Sequence, residues 1–290
     1  MRAAILTSLT MLAFAMNSIL NRAAVEGGHA DAGGFAIVRV AAGVVVLAMV
    51  LSVRGGRLDV LSPRRWAGGL SLALYMIGFS MAYLSLAAGP GALILFGTVQ
   101  IGLFVHAAAT GTRPGAGEIG GACVAFCGLL LALWPAPGGI GSAWGALFMV
   151  AAGLGWVGYT LAGRGAQNPV AATTSHFLLA LPFLLVLLTL PDLFLTPTGL
   201  ALAVLSGGVT SALGYALWYS VLPALPGARA AVVQLSVPVL AIGLGVLLLG
   251  EQAGLDTLLA AALVVGGIAI ALRARRQPAA DQATMGSRGS

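Results

Sequence analysis

Apolar residues in this chain come in long unbroken runs, and polar or charged residues are confined almost wholly to the gaps between them. Ten runs stand out, at 3–22, 34–53, 67–87, 91–110, 118–134, 143–163, 171–190, 199–222, 228–249 and 255–272. Each approaches the roughly 20 residues a helix needs to cross a hydrocarbon core of about 30 Å. Lipid offers no partner to backbone N–H and C=O groups, so each run is predicted to be an α-helix, which satisfies those groups internally. The alternating ten-residue signature of a transmembrane β-barrel is absent. The predicted fold class is therefore an all-α integral membrane protein with ten transmembrane helices.

Ten runs divide into two sets of five that can be laid over each other. Because five is odd, the second set must enter the membrane from the opposite side, which makes the halves an inverted repeat, the architecture of a transporter. The predicted units are residues 1–135 and 141–274, followed by a polar, aperiodic tail at 275–290 that is expected to be disordered. Leu12–Arg22 aligns without gaps on Leu154–Arg164, pairing Phe14 with Trp156, Asn17 with Tyr159 and Arg22 with Arg164. Gly111–Gly128 aligns in the same way on Gly250–Gly267, and Gly91-Ala92 corresponds to Gly227-Ala228. The shared order of these matches, rather than any one of them, carries the repeat.

Composition leaves little room for anything else: 59% of residues are hydrophobic, 8% are charged and the mean hydropathy is +1.02. A net charge of +6 could indicate nucleic acid, but every basic residue is arginine and their placement marks an orientation instead. With the N-terminus in the cytoplasm, twelve of the fourteen arginines fall on that side: Arg2, Arg54, Arg57, Arg64, Arg65, Arg113, Arg164, Arg229, Arg273, Arg275, Arg276 and Arg288. The other side receives Arg22 with Glu26, Asp31, Asp192, Glu251 and Asp256, as the positive-inside rule requires. Both termini are predicted cytoplasmic, in a multi-pass protein of a bacterial-type inner membrane. The first run continues into Asn21 and Arg22 without a small-residue cleavage site and is read as the first span rather than a secretory leader. The expected partners are a small-molecule solute and membrane lipids, with no nucleic acid, for a monomer. Cys123 and Cys127, one turn apart in the fifth run, are read as small core residues rather than a disulfide or a metal site.

Ionisable groups inside a membrane are costly and point to function. Arg39 lies about two turns into the second run, where insertion costs roughly 2.5 to 3.5 kcal/mol at the centre and less if the side chain snorkels to the surface. It is assigned structural anchoring or, alternatively, contact with the solute or a gate. His176 is the histidine best placed for the interior, since His106 is nearer a helix end and His29 is in a loop. No Asp or Glu falls well within a run, so a buried carboxylate proton carrier is missing. Transport by facilitated diffusion, or by a proton route without such a carboxylate, is the expectation.

A pocket must then be built from uncharged polar groups and rings, and these fall into stripes at helical spacing. The stripes are Phe14, Asn17 and Asn21; Tyr75, Phe79 and Tyr83; Phe96, Gln100 and Phe104; Trp156 and Tyr159; and Tyr215, Trp218 and Tyr219. Gln234 shares a face with Pro238, which joins Arg39 as a residue of gating or structure. The candidate solute-binding set is Phe14, Asn17, Asn21, Phe79, Tyr83, Gln100, Trp156, Tyr159, His176, Tyr215, Trp218 and Gln234. An aromatic wall with a few polar groups suits an amphipathic solute. No His-Glu-x-x-His, Gly-x-Ser-x-Gly or phosphate-cradling motif occurs, so neither an enzyme nor a cofactor is expected.

The first-helix stretch FAMNSILNR, Arg39, the WVGYTLAGR that opens the second half and YALWYSVLPALPGARAAVVQLSVPVLAIGLGVLLLGEQ across runs eight and nine carry a resemblance. On these residues the chain resembles the drug/metabolite transporter superfamily, in its ten-helix EamA branch, over about residues 3–272. Trp156-x-x-Tyr159 and Tyr215-x-x-Trp218 look like the amino-acid exporters of that branch. The resemblance implies a basket of helices around a central cavity, with helices five and ten peripheral and the solute held between the halves. The chain departs from the branch at Gln100, where proline is usual, at Thr112, which stands where the second half has Glu251, and at Phe14, which replaces a tryptophan. The resulting expectation is an exporter of aromatic and other neutral amino acids working by alternating access. The alternatives are an exporter of other metabolites or drugs, lipophilic cations included, and a non-transporting scaffold or channel.

Overall fold

The computed structural model describes residues 2–58, 60–110, 115–133, 143–163, 166–189, 193–221, 233–234 and 236–274. Thr112, Arg113, Arg164, Asp192, the Gly227-Ala228 pair, Arg229 and the 275–290 tail, all invoked above, lie outside the described residues, as does the side chain of Tyr219. The first half contributes α1 (Arg2–Val25), α2 (Ala32–Val53), α3 (Pro63–Ala82), α4 (Ala88–Ala109) and α5 (Ala116–Leu133). The second contributes α6 (Ala143–Gly163), α7 (Pro169–Leu185) and α8, which is composed of Pro197–Val204, a π-helical stretch Leu205–Leu213 and Gly214–Val221. It ends with α9 (Ser236–Leu249) and α10 (Leu255–Ala274). No strand occurs among the described residues, only an isolated bridge between Ala30 and Leu195.

Six helices are long and apolar enough to cross a membrane, with qualifying stretches Ala4–Val25, Ala32–Val53, Ala88–His106, Ala143–Gly163, Pro169–Thr189 and Pro197–Trp218. α3 starts on Arg64 and Arg65, which lowers its hydropathy, and α5, α9 and α10 hold shorter apolar stretches. The outward faces carry large apolar side chains such as Leu247, Val53 and Trp144, 78%, 88% and 69% exposed, a surface that lipid rather than water would cover. Cys123 and Cys127 are also exposed, on α5, so the expectation that they pack in the core is corrected: their small side chains face outward.

Helix starts follow local chemistry. Asp31, Asn168 and Thr196 accept the backbone N–H three residues on and so cap α2, α7 and α8, and Pro169 and Pro197 occupy first-turn positions where a missing N–H costs nothing. Pro182 lies inside α7, which tightens to a 3-10 turn at Val186–Thr189. Pro238, expected to bend a span, sits in the first turn of α9 as described.

Glycine sets how closely helices pack. A Cβ on Gly155 of α6 would stand 2.6 Å from the Tyr75 nitrogen of α3, and one on Gly128 of α5 would stand 2.7 Å from the Val264 nitrogen of α10. Such contact of backbone with backbone supplies dispersion where no hydrophobic drive exists between helices in lipid. α3 packs on α6 and α7, α1 on α8 and α9, α2 on α7 and α8, α4 on α6 and α9, and α5 on α10. One buried cluster joins α1, α3, α4, α6 and α8 at the centre and includes Phe14, Tyr75, Phe79, Phe96, Trp156 and Tyr215.

Candidate functional site

The centre of the bundle is a small cavity of about 10 Å³, lined by Phe14, Asn17, Tyr75, Phe79, Leu95, Phe96, Trp156 and Tyr215 from α1, α3, α4, α6 and α8. That volume is close to the least a single water needs, so the site is closed in this conformation. Its walls are edge-on rings. Phe14 meets Trp156 at 5.9 Å between centroids, Tyr215 at 5.7 Å and Trp218 at 6.0 Å. Trp156 in turn meets Tyr75 and Tyr215, each at 4.9 Å. Rings in such tilted arrangements fix one another's positions and leave an apolar lining.

One polar wall interrupts the rings. The Asn17 Oδ1 accepts from Ser206 Oγ at 3.0 Å, Thr210 Oγ1 at 2.5 Å and Ser211 Oγ at 3.2 Å. An amide oxygen has two lone pairs, so three hydroxyls compete for it, and Thr210 keeps a second acceptor in the Ser206 carbonyl at 3.0 Å. The convergence depends on the π-helical stretch of α8. Its i→i+5 bonding sets Ser206 and Ser211 one turn above the other, whereas at 3.6 residues per turn they would diverge.

Arg39 lies beside this wall rather than at the surface. It is wholly buried, its Nε donates to Ser211 Oγ at 3.0 Å and its Nη2 to the Tyr75 hydroxyl at 3.3 Å. The guanidinium carbon lies 5.5 Å from the Tyr75 ring centroid and 4.9 Å from that of Phe79, within cation–π range. α8 presses against it from behind: a Cβ on Gly207 would collide with the Arg39 carbonyl oxygen, 2.0 Å away.

Among the expected solute-binding residues, Phe14, Asn17, Phe79, Trp156 and Tyr215 line the cavity. Tyr83, Tyr159 and Trp218 stand one layer out, with rings packed edge-on or tilted against Phe79, Trp156 and Phe14 respectively. Asn21 is further along α1, donating to Ser80 Oγ at 3.0 Å. His176 is buried against the Tyr159 ring at 5.3 Å and Gly68, away from the cavity. Gln100 and Gln234 are half-buried and are not among the residues that line this cavity. The sequence reading missed Leu95 and the Ser206, Thr210 and Ser211 hydroxyls. Their signal was the polar patch in the eighth run, SGGVTS, opposite Arg39.

The two ends of the bundle differ. At one end Arg22 Nη1 donates to the Tyr83 carbonyl at 3.1 Å, Arg22 Nε approaches Glu251 Oε1 at 3.6 Å, and the Ala88 N–H donates to both Glu251 oxygens at 2.8 and 2.9 Å. The loop before α2 is joined there to the segment before α8, with Asp31 Oδ2 accepting the Phe194 N–H at 2.9 Å. At the other end Arg64 donates to the carbonyls of Ala162 and Leu161 at the end of α6. No grouping of His, Cys, Asp or Glu that could hold a metal occurs among the described residues.

Residues 143–273 match the EamA-like transporter family. The whole chain is similar to "Uncharacterized protein PA1977" of Pseudomonas aeruginosa, with 44% identity over 97% of this chain and 98% of that protein. A solved structure, described only as the crystal structure of a protein, superposes with a TM-score of 0.66 over 92% of this chain and 97% of its own, at 21% identity, a likeness of fold.

Proposed function

Residues 143–273 match the EamA-like transporter family, and from that premise we propose that the whole chain is a transporter of this kind that exports amino acids, aromatic and other neutral ones, across an inner membrane by alternating access. A membrane transporter of small solutes is what the family implies. The finer reading takes ten spans in two inverted repeats, 1–135 and 141–274, with both termini cytoplasmic. It is supported by contacts that exchange under the repeat. Gly128 abuts the Val264 nitrogen while Gly267 abuts the Ala125 nitrogen, and the offset that aligns Gly128 with Gly267 also aligns Ala125 with Val264.

The observation that carries the substrate reading is the closed central cavity, whose apolar ring walls suit an aromatic or aliphatic side chain and whose Asn17 edge suits a polar backbone. The helices around it come from both halves, so rocking one half on the other would open it to alternate sides. No carboxylate lies beside it among the described residues, which favours flux down the solute's own gradient.

Purified protein in liposomes should take up labelled phenylalanine saturably, with or without a pH gradient, and unlabelled neutral amino acids should compete. Absence of flux, with no competition by any amino acid, would remove the substrate claim; inhibition by lipophilic cations alone would replace it with drug export.

A further inference from the structure

We propose that Arg39 is an anion subsite: a carboxylate on the transported solute docks on its guanidinium, so the carrier accepts anions and zwitterions and rejects cations. The proposal rests on the amino-acid reading for the identity of the solute, but its own substance is the charge rule.

Arg39 is wholly buried in α2, and no carboxylate pairs with it among the described residues, where the ion pairs both involve Arg22. An arginine cannot relieve burial by losing its proton, so the charge stays and needs compensation. Ser211 and Tyr75 each satisfy one N–H and two rings face the cation, yet Nη1 has no hydrogen-bond partner among the described residues. Neutral hydroxyls and ring faces offset only part of the cost of desolvating a guanidinium, and one arm of the fork is left over.

Arginines with a structural task in this molecule look different. Arg22 and Arg64 reach helix-end carbonyls at the two ends of the bundle, where cations complement the helix dipole, and Arg22 has Glu251 and Glu26 as well. Among the described residues Arg39 bonds neither a helix-end carbonyl nor an acid. It sits behind Tyr75 and Phe79, both cavity walls, so a single layer of side chain separates its charge from the cavity. Ser211 links it to Asn17, the one of these three that lines the cavity, so guanidinium, hydroxyl and amide form one continuous polar strip that runs from the cavity wall to the charge behind it. A carboxylate reaching this strip as the cavity opens meets a planar fork with a free arm, the geometry arginine presents to carboxylates in paired form. An ammonium group meets the same fixed positive charge and is repelled.

Four ligands that share one ring separate the possibilities in the full-length protein: L-phenylalanine, 3-phenylpropionate, phenethylamine and L-phenylalaninamide. Competition against labelled phenylalanine in liposomes, and ligand-induced thermal stabilisation in detergent, are both read. Phenylalanine and phenylpropionate should act at concentrations about 10- to 100-fold below those of the amine and the amide, the range of a charge-assisted hydrogen bond. Arg39→Gln should abolish that preference, and Arg39→Lys should keep part of it. Equal potency of amide and acid, with phenylalanine flux intact, overturns the anion subsite and leaves amino-acid transport standing. Binding of phenylpropionate without phenylalanine flux does the reverse. If Arg39→Gln fails to fold, the ligand series on the unaltered protein still decides, and no binding by any of the four overturns both.

Discussion

Asn17 shows how a single residue can organise the centre of this protein. Its amide oxygen collects three hydroxyls from α8, and one of these, Ser211, accepts from Arg39 in turn. Asn17→Leu keeps the branched shape and the number of heavy atoms, though with more bulk, and withdraws the acceptor. Interhelical hydrogen bonds in membranes average roughly 0.6 kcal/mol, so the loss in stability should be about 1 kcal/mol and visible as a small drop in thermal midpoint in detergent. Transport should fall far more steeply, because Arg39 and its hydroxyl partner lose their fixed position. Equal flux in the variant would show that the strip holds the fold and not the solute. Asn17 was legible in the sequence because an uncharged polar residue among rings on one helical face needs a partner. The partners were not, since Ser206 and Ser211 share a face only in the π-helical register, which a 3.6-residue period conceals. The burial of Arg39 was equally hidden: sequence position allowed it to reach the surface, and its contacts with Ser211, Tyr75 and Phe79 in the folded bundle show that it does not.

At the scale of the helix, glycines separate into those that govern packing and those that do not. A Cβ on Gly121 of α5 would lie 2.4 Å from the Ala271 nitrogen and 2.6 Å from the Gly267 oxygen of α10, backbone atoms that cannot step aside. The neighbouring Gly120 meets nothing within 4 Å. Gly121→Leu should therefore cost about 1 to 3 kcal/mol as an overpacked interface, while Gly120→Leu should leave the thermal midpoint within about half a kcal/mol equivalent or raise it slightly. Equal midpoints for the two variants would mean that α5 and α10 do not depend on this contact. The long apolar runs made the helical class legible, because in lipid a run of that length has one viable conformation, and six of the described helices are long and apolar enough to cross a membrane. Where each helix begins was less so, since caps such as Asn168 and Thr196 lie among other small polar residues and act only through their geometry.

For the molecule as a whole, the alternating access proposed above requires that one end hold while the other opens, and the Arg22 end has the means to hold. Glu251 follows α9 in the second half, yet it caps the start of α4 through Ala88 and approaches Arg22 of α1, both in the first half. Both side chains are mostly shielded, 14% and 16% exposed, so the pair is weakened less by solvent than a surface pair would be. Opening the cavity at this end means drawing Glu251 away from an N–H and a guanidinium together. Glu251→Gln keeps an acceptor for Ala88 but removes the charge, and should shift the population toward the state open at this end. The reporter is Leu95→Cys, a cavity wall, in a background where Cys123 and Cys127 are replaced, so that the introduced thiol alone is read. A membrane-impermeant thiol reagent applied from the Arg22 face should label Leu95→Cys several-fold faster in the Glu251→Gln protein. Applied from the Arg64 face, it should label more slowly than in the parent. A rise from both faces would indicate general loosening of the bundle rather than a released latch. Unchanged labelling from both would place the barrier in the ring cluster of Phe14, Trp156 and Tyr215 itself, with the Glu251 contacts serving only to cap α4.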